Sequence, residues 1–494
     1  MIRPRFLIPA ALLASLGGAI IAASAEPNPP PLSDVPESVA HDGILSVTLE
    51  AKTGKTNFDG VSVDTIAYNG IFAGPVLRLW PGDKLRVHFQ NRLAEPSNLH
   101  FHGMQTSPRG NSDTVHLLVP AGKDFDYEVK IPRDQPPGTY WYHAHPHGLS
   151  EKQVGLGLSG ALIVEGLANR VPNLSAVRER LFTLKTVEMD DSEDPKIADE
   201  WHGVIATING QTNIEEAMRP GEAVLWHVGN QSSNLAAHLA LDGHKFTVVA
   251  RDGNLVPAPV EAEVLDIGPA SRLDVLVTGG APGVYGLVAR NVLTGQDDKM
   301  SPNRTIGHVT IGGAAVSAPK PTAPKLEDLS QLSPKSFRTF VFTQSKDSEK
   351  FFMNDRLFDH ARVDTRVNLG DVEDWTIRND SDDMHVFHIH QLPFQVMAVN
   401  DKPVPFEGLL DTVRVPERGS VKIRLAFLNP DIVGKFMYHC HVLKHEDKGM
   451  MQVIEVVDPK AVKHAGLARW LAALVRRGTP PDDVVPICSA WAAG

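Results

Sequence analysis

Polar and apolar residues alternate along short stretches of the chain, as in Leu85-Arg86-Val87-His88-Phe89. Successive strand side chains point to opposite faces, so this pattern predicts a strand with one buried face. The pattern returns at long intervals. RLWPGDKLRVHFQN (78–91), AMRPGEAVLWHVGN (217–230) and RVNLGDVEDWTIRN (366–379) each read as a strand, a glycine-centred turn with an acid, a second strand and an asparagine. The anchors are Gly82, Gly221 and Gly370, then Asn91, Asn230 and Asn379, spaced by 139 and 149 residues. That is domain size, not solenoid size. A second set agrees: GTYWYHAH (138–145), GVYGLVAR (283–290) and GKFMYHCH (434–441), each with an aromatic two residues after Gly. The chain is therefore expected to be all-β, with three copies of one sandwich unit.

The two ends break the pattern. Arg3 and Arg5 precede an apolar run, Phe6 to Ala22, and the small residues Ala23-Ser24-Ala25. This is the layout of a cleaved secretory signal over 1–25, which predicts a periplasmic or secreted protein. Residues 26–43, rich in Pro, read as a flexible leader. The three units are expected at 44–167, 168–312 and 337–458, with a Pro/Ala/Lys linker at 313–336. Residues 459–494 read as a helix and tail, with Leu467, Trp470, Leu471, Leu474 and Val475 on one helical side.

Composition narrows the function classes. Asp and Glu number 59 against 48 Lys and Arg, a net charge of -11 that argues against nucleic acid as partner. Two cysteines exclude a disulfide scaffold and a Cys-rich zinc module. No long apolar run follows the signal, so no stable membrane association is expected.

The 21 histidines follow the repeat. His100 and His102 lie nine and eleven residues after Asn91, and His388 and His390 lie nine and eleven after Asn379. At the second anchor, copy one has His143 and His145, and copy three has His439 and His441. Copy two carries Leu239, Leu241, Val288 and Arg290 at these offsets. Strand residues i and i+2 share a face, so each pair presents two imidazoles side by side. Four matched pairs from two domains predict a multinuclear metal site where copies one and three meet. Cys440, between His439 and His441, must point the other way. With His385, His445 and Met450 it offers two imidazoles, a thiolate and a thioether, the set of a blue-copper site. Zinc is the competing metal for His and Cys, but a closed local zinc site leaves eight further histidines unexplained.

The stretches HFHG, HAH, HVFHIH and HCHVLKHEDKGM resemble the four copper signatures of the multicopper oxidases, the laccase-like family. The resemblance spans about residues 44–456 and implies three cupredoxin-like Greek-key β-sandwich domains. It implies four coppers: type 1 at His385, Cys440, His445 and Met450; type 2 at His100 and His388; and a type 3 pair at His102, His143, His145, His390, His439 and His441. It further implies O2 as acceptor and a phenol, an aromatic amine or Cu(I) as the small reducing substrate. The family's proton-delivering acids match Glu446 and, more loosely, Asp113.

Several other residues stand outside this ligand pattern. Asp383 is expected to orient His385 from behind. His147 is expected to be peripheral, and His227, His238 and His244 structural. Cys488 is expected to be free or to pair with another chain if Cys440 is a ligand. The leading hypothesis is a laccase-like oxidase of aromatic donors. A periplasmic cuprous oxidase is the alternative, and a copper-free scaffold is disfavoured by the complete ligand set. The methionines are scattered, with no thioether-rich segment to collect Cu(I).

Overall fold

The computed structural model describes residues 31–461 apart from 115, 175–176, 190–191, 193, 195, 198–202, 291–302 and 327. The expected signal segment, the expected C-terminal helix beyond residue 461 and Cys488 therefore lie outside the described residues. Six sheets form three sandwiches in chain order. In one sheet of each sandwich the opening strand runs parallel to the strand that ends in the anchor asparagine. These pairs are Ile44–Phe58 with Lys84–Asn91, Arg178–Glu188 with Ala223–Asn230, and Ser336–Gln344 with Val372–Asn379. In the facing sheet a second parallel pair recurs: Val76–Leu79 with Ser159–Val164, Ile214–Met218 with Arg304–Ile311, and Thr365–Asn368 with Met451–Val457. Parallel neighbours cannot be joined by a tight hairpin, so each chain third crosses between its two sheets.

The repeat anchors now have physical causes. Gly82, Gly221 and Gly370 hold φ of 95°, 75° and 94°, the left-handed region that favours glycine. Asp83 and Glu222 accept the backbone N–H groups of Trp80 and Arg219 and close their turns. Each asparagine clamps two loops through its amide. Asn91 Nδ2 donates to the carbonyls of Glu95 and Val119, Asn230 Nδ2 to Leu235 and Ile267, and Asn379 Nδ2 to Asp383 and Pro416. In copies one and three these clamps fix the loop that enters the first histidine pair.

The alternation seen in the sequence is the core pattern. Leu85, Val87 and Phe89 are buried, and Arg86 between them is exposed. Each sandwich has its own apolar core, with Tyr127 and Phe101 in the first, Trp226 in the second and Trp375 in the third. Among the described residues no helix is long and apolar enough to cross a membrane.

One expectation needs correction. Residues 26–43 are not a flexible leader from residue 31 on. Leu32 and Val35 are buried, and Glu37–Val39 pairs in parallel with Val76–Leu79. The exposed edge of the first sandwich gives these Pro-flanked residues a strand partner.

Candidate metal centres

Four strands position the histidine pairs: His100–His102, Gly138–His143, His385–Ile389 and Gly434–Cys440, with His145, His390 and His441 just past the ends of the last three. Antiparallel pairing puts His100 opposite His143, and His388 opposite His439. The first and third sandwiches then meet face to face. His100 stacks on His390 with centroids 3.8 Å apart, and His102 stacks on His388 at 3.9 Å. His439 Nε2 lies 3.1 Å from His390 Nε2 and 3.3 Å from His145 Nε2. All eight imidazoles are buried. They fall into three groups whose ring nitrogens come within 4.8 Å of one another: His100, His102 and His388; His102, His143 and His441; and His145, His390 and His439.

The polar atoms are sorted in a way that fits a metal. Outward nitrogens have partners. His100 Nδ1 is 3.0 Å from Asp113 Oδ1, His102 Nε2 is 3.0 Å from Asp411 Oδ1, and His143 and His388 turn Nδ1 to the carbonyls of Ala144 and Asp411. The opposite nitrogens of these four rings are buried with no partner: Nε2 of His100, His143 and His388, and Nδ1 of His102; Nδ1 of His390 and both nitrogens of His441 are also buried and unpartnered. An orphaned buried ring nitrogen is costly unless a cation takes its lone pair. Burial, reinforced by neighbouring imidazoles, holds His102, His143, His388, His390 and His441 well below the ordinary histidine range. Their lone pairs are therefore free at neutral pH, as metal ligation requires.

The second centre lies within the third sandwich. Cys440 Sγ is 3.5 Å from His385 Nδ1 and 3.6 Å from His445 Nδ1, and those two nitrogens are 3.0 Å apart. The return loop is tied by its backbone, since Cys440 N donates to Met450 O and Met450 N donates to His445 O. The short helix Leu443–Asp447 carries His445, and buried Met450 follows it. Phe351 stacks on His445 at 4.0 Å. Burial pushes the Cys440 thiol up to about 12, so a thiolate there needs a bound cation.

The two predicted acids are buried between these centres and the protein body. Glu446 Oε2 is 3.0 Å from His439 Nδ1, and Oε1 is 3.6 Å from His145 Nδ1. Asp113 holds His100 and accepts Gln391 Nε2 at 2.7 Å. Behind His385 stands Ser381, whose Oγ is 2.9 Å from Nε2. The Asp383 backbone carbonyl accepts the Asn379 clamp. His227 is structural, held by Asp274 and Glu179. His238 pairs with Asp266, and His244 accepts from Gly280 N. Exposed His147 lies against Phe358 at 4.5 Å. Sequence reasoning missed Asp411, Arg272 and Trp141, the last stacked on His143 at 4.2 Å. Trp141 stood in view, inside the second anchor, two residues from His143.

Multicopper oxidase family models match residues 50–169, 186–310 and 321–460. A multicopper oxidase of Staphylococcus aureus is 28% identical over 436 residues, covering 84% of this chain and 89% of its own length. Among solved structures, a multicopper oxidase from Campylobacter jejuni described as a metallo-oxidase superposes with a TM-score of 0.74 at 26% identity, over 87% of this chain and 96% of its own. A laccase-like enzyme from an Ochrobactrum species, described as active on lignin model compounds, superposes with a TM-score of 0.71 at 26% identity, over 87% and 100%. This chain belongs to the multicopper oxidase family. It is a copper-binding oxidoreductase of three cupredoxin-like domains that couples oxidation of a reducing substrate to reduction of O2.

Proposed function

We propose that the chain is an exported, laccase-like oxidase of phenols or aromatic amines, with about four coppers per chain. The observation that carries this reading is the convergence of eight buried imidazoles into three ligand-spaced groups, with one ring nitrogen partnered and the other orphaned on His100, His102, His143 and His388. In this reading His385, Cys440, His445 and Met450 hold the type 1 ion, and His100 and His388 the type 2 ion. His102, His143 and His441 hold one type 3 ion, and His145, His390 and His439 the other. The bound ions supply one-electron storage, so that four single-electron oxidations of donor serve one O2, which with four protons gives two waters.

The chain's own residues set the route. Phe351 covers His445, and Leu357 and Phe358 pack against Gly449, four residues further along the same loop. An aromatic donor docks there and loses one electron and its hydroxyl proton. Cys440 is covalently continuous with His439 and His441, so one strand joins entry to the O2 site. Glu446, at His439 and His145, and Asp113, at His100, stand where protons must arrive.

The cuprous alternative has its support in the metallo-oxidase neighbour. Against it, every described methionine is buried or half-buried. Met437 and Met451 do meet, but beneath Phe358 and Val363. Oxygen uptake with 2,6-dimethoxyphenol and with Cu(I), run in parallel, separates the readings. Turnover of the phenol without added copper is expected. Negligible phenol turnover beside rapid Cu(I) oxidation would reverse the assignment.

A further inference from the structure

We propose that Arg272, in the one domain that lends no imidazole to either centre, is a positioning residue for the trinuclear site. It acts through Asp411 on His102 and His388. This inference rests on the ligand assignment proposed above.

Asp411 touches two imidazoles from two different domains. Its Oδ1 is 3.0 Å from His102 Nε2, and its backbone carbonyl is 2.8 Å from His388 Nδ1. Those rings stack at 3.9 Å with an interplanar angle of 14°. A neutral imidazole carries one N–H and one lone pair, so the partner of one nitrogen decides what the other presents. Asp411 takes the N–H from Nε2 of His102 and from Nδ1 of His388. Their lone pairs then sit on His102 Nδ1 and His388 Nε2, both buried and unpartnered. A single residue thus sets two opposite tautomers across a domain boundary.

The carboxylate is not left to choose its own rotamer. Arg272 Nη1 donates to Asp411 Oδ1 at 2.8 Å and Nη2 to Oδ2 at 2.5 Å, the forked geometry of a bidentate pair. The guanidinium is itself anchored, with Nη1 donating to Ala270 O and Nε to Thr139 O. Asp252 closes the arrangement. Its Oδ1 accepts Arg272 N, and its Oδ2 accepts the N–H and hydroxyl of Thr412 beside Asp411. Arg272 and Asp411 are 1% and 3% exposed, so neither interaction is diluted by water. Burial alone would weaken the Arg272 charge; Asp411 and Asp252 outweigh it and hold the guanidinium protonated.

The packing demands this approach. A Cβ on Gly103 would stand 2.6 Å from both Arg272 Nη2 and Asp411 Oδ2. The glycine that follows His102 is therefore the space into which the ion pair fits. Lys185 offers a contrast from the same domain. Its Nζ donates to the carbonyls of Phe72, Gly157 and Ser159, which ties domains one and two without bonding to any ligand imidazole.

The test uses the full chain loaded with copper and reads copper per chain, the type 2 EPR signal and the blue absorption. Outer partners of metal ligands typically change metal affinity by roughly 10–100-fold. Arg272→Met is expected to keep the blue absorption, change the type 2 EPR signal, and lose trinuclear copper at roughly tenfold lower chelator concentration. Arg272→Lys, which keeps the charge but not the fork, should fall between it and the wild type. Lys185→Met should retain its copper. Wild-type copper retention and an unchanged type 2 signal in Arg272→Met would overturn the proposal, as would equal copper loss in Lys185→Met. If Arg272→Met does not accumulate, Arg272→Lys is held to the same two outcomes. A wild type that binds only the blue copper would instead sink the ligand assignment.

Discussion

Cys440 and His439 are neighbours in the chain but face different centres: Cys440 Sγ is 3.5 Å from His385 Nδ1, and His439 Nε2 is 3.1 Å from His390 Nε2. Strand alternation alone produces this split. The strand beside it repeats the arrangement. His388 pairs with His439 and Phe387 with Cys440, while His385, three residues before His388, points with Cys440 into the sandwich. The strand Gly434–Cys440 therefore sends Cys440 to one cluster and His439 to the other, and His441 follows it directly.

Cys440→Ser removes the thiolate and leaves the eight imidazoles in place. The intense blue absorption and donor oxidation should both be lost, with trinuclear copper largely retained. Absorption spectroscopy with a copper assay checks this; a mutant that stays blue would remove Cys440 from the type 1 site.

Met450→Leu should raise the type 1 potential. A weak axial thioether stabilises the oxidised ion, and leucine donates nothing. The residue is buried and its N–H bonds His445 O, so leucine can be accommodated with little change of fold. A redox titration giving an equal or lower potential would exclude the axial role.

Glu446→Gln keeps shape and hydrogen-bonding capacity but carries no titrating proton. Reoxidation of the reduced enzyme by O2 should slow by roughly 10²-fold or more, with reduction of the type 1 ion nearly unchanged. Stopped-flow reoxidation at the wild-type rate would leave Glu446 with a packing role only.

His227, which is not one of the proposed copper ligands, gives a pH signature. Burial alone would lower its pKa; hydrogen bonds and charge from Asp274 and Glu179 outweigh this and push it up to about 9. A folded-state pKa above the unfolded value stabilises the protein fully below pH ~6.5, and that stability fades as pH rises through about 9. The ceiling is on the order of 3 kcal/mol. His227→Gln should flatten this part of the stability curve. Chemical denaturation from pH 6 to 9.5 with identical slopes for both proteins would contradict the pairing.

The legible part of the site was the part written in short spacings. Intervals of two residues put imidazoles on one face, and an interval of three turned His385 to the other. The unreadable part is held by contacts between distant segments. His102 meets Asp411 across 309 residues, and Arg272 meets Asp411 across 139. No local pattern marks Arg272 or Asp411, because each is fixed only when three domains close around them. Ser381 and Asp383 sit in the same turn, and the Asn379 clamp draws in the Asp383 carbonyl while Ser381 Oγ reaches His385. Proline content made residues 31–43 look unstructured, whereas a free sheet edge recruits Glu37–Val39 as a strand.

The most direct test is the copper content of the purified, copper-loaded full chain, determined with its EPR spectrum. About four coppers per chain, with one type 1 and one type 2 signal and the remaining pair EPR-silent, is the expected result. One copper or none per folded chain, with the histidine cluster left empty, would contradict the reading of this protein as an O2-reducing multicopper oxidase.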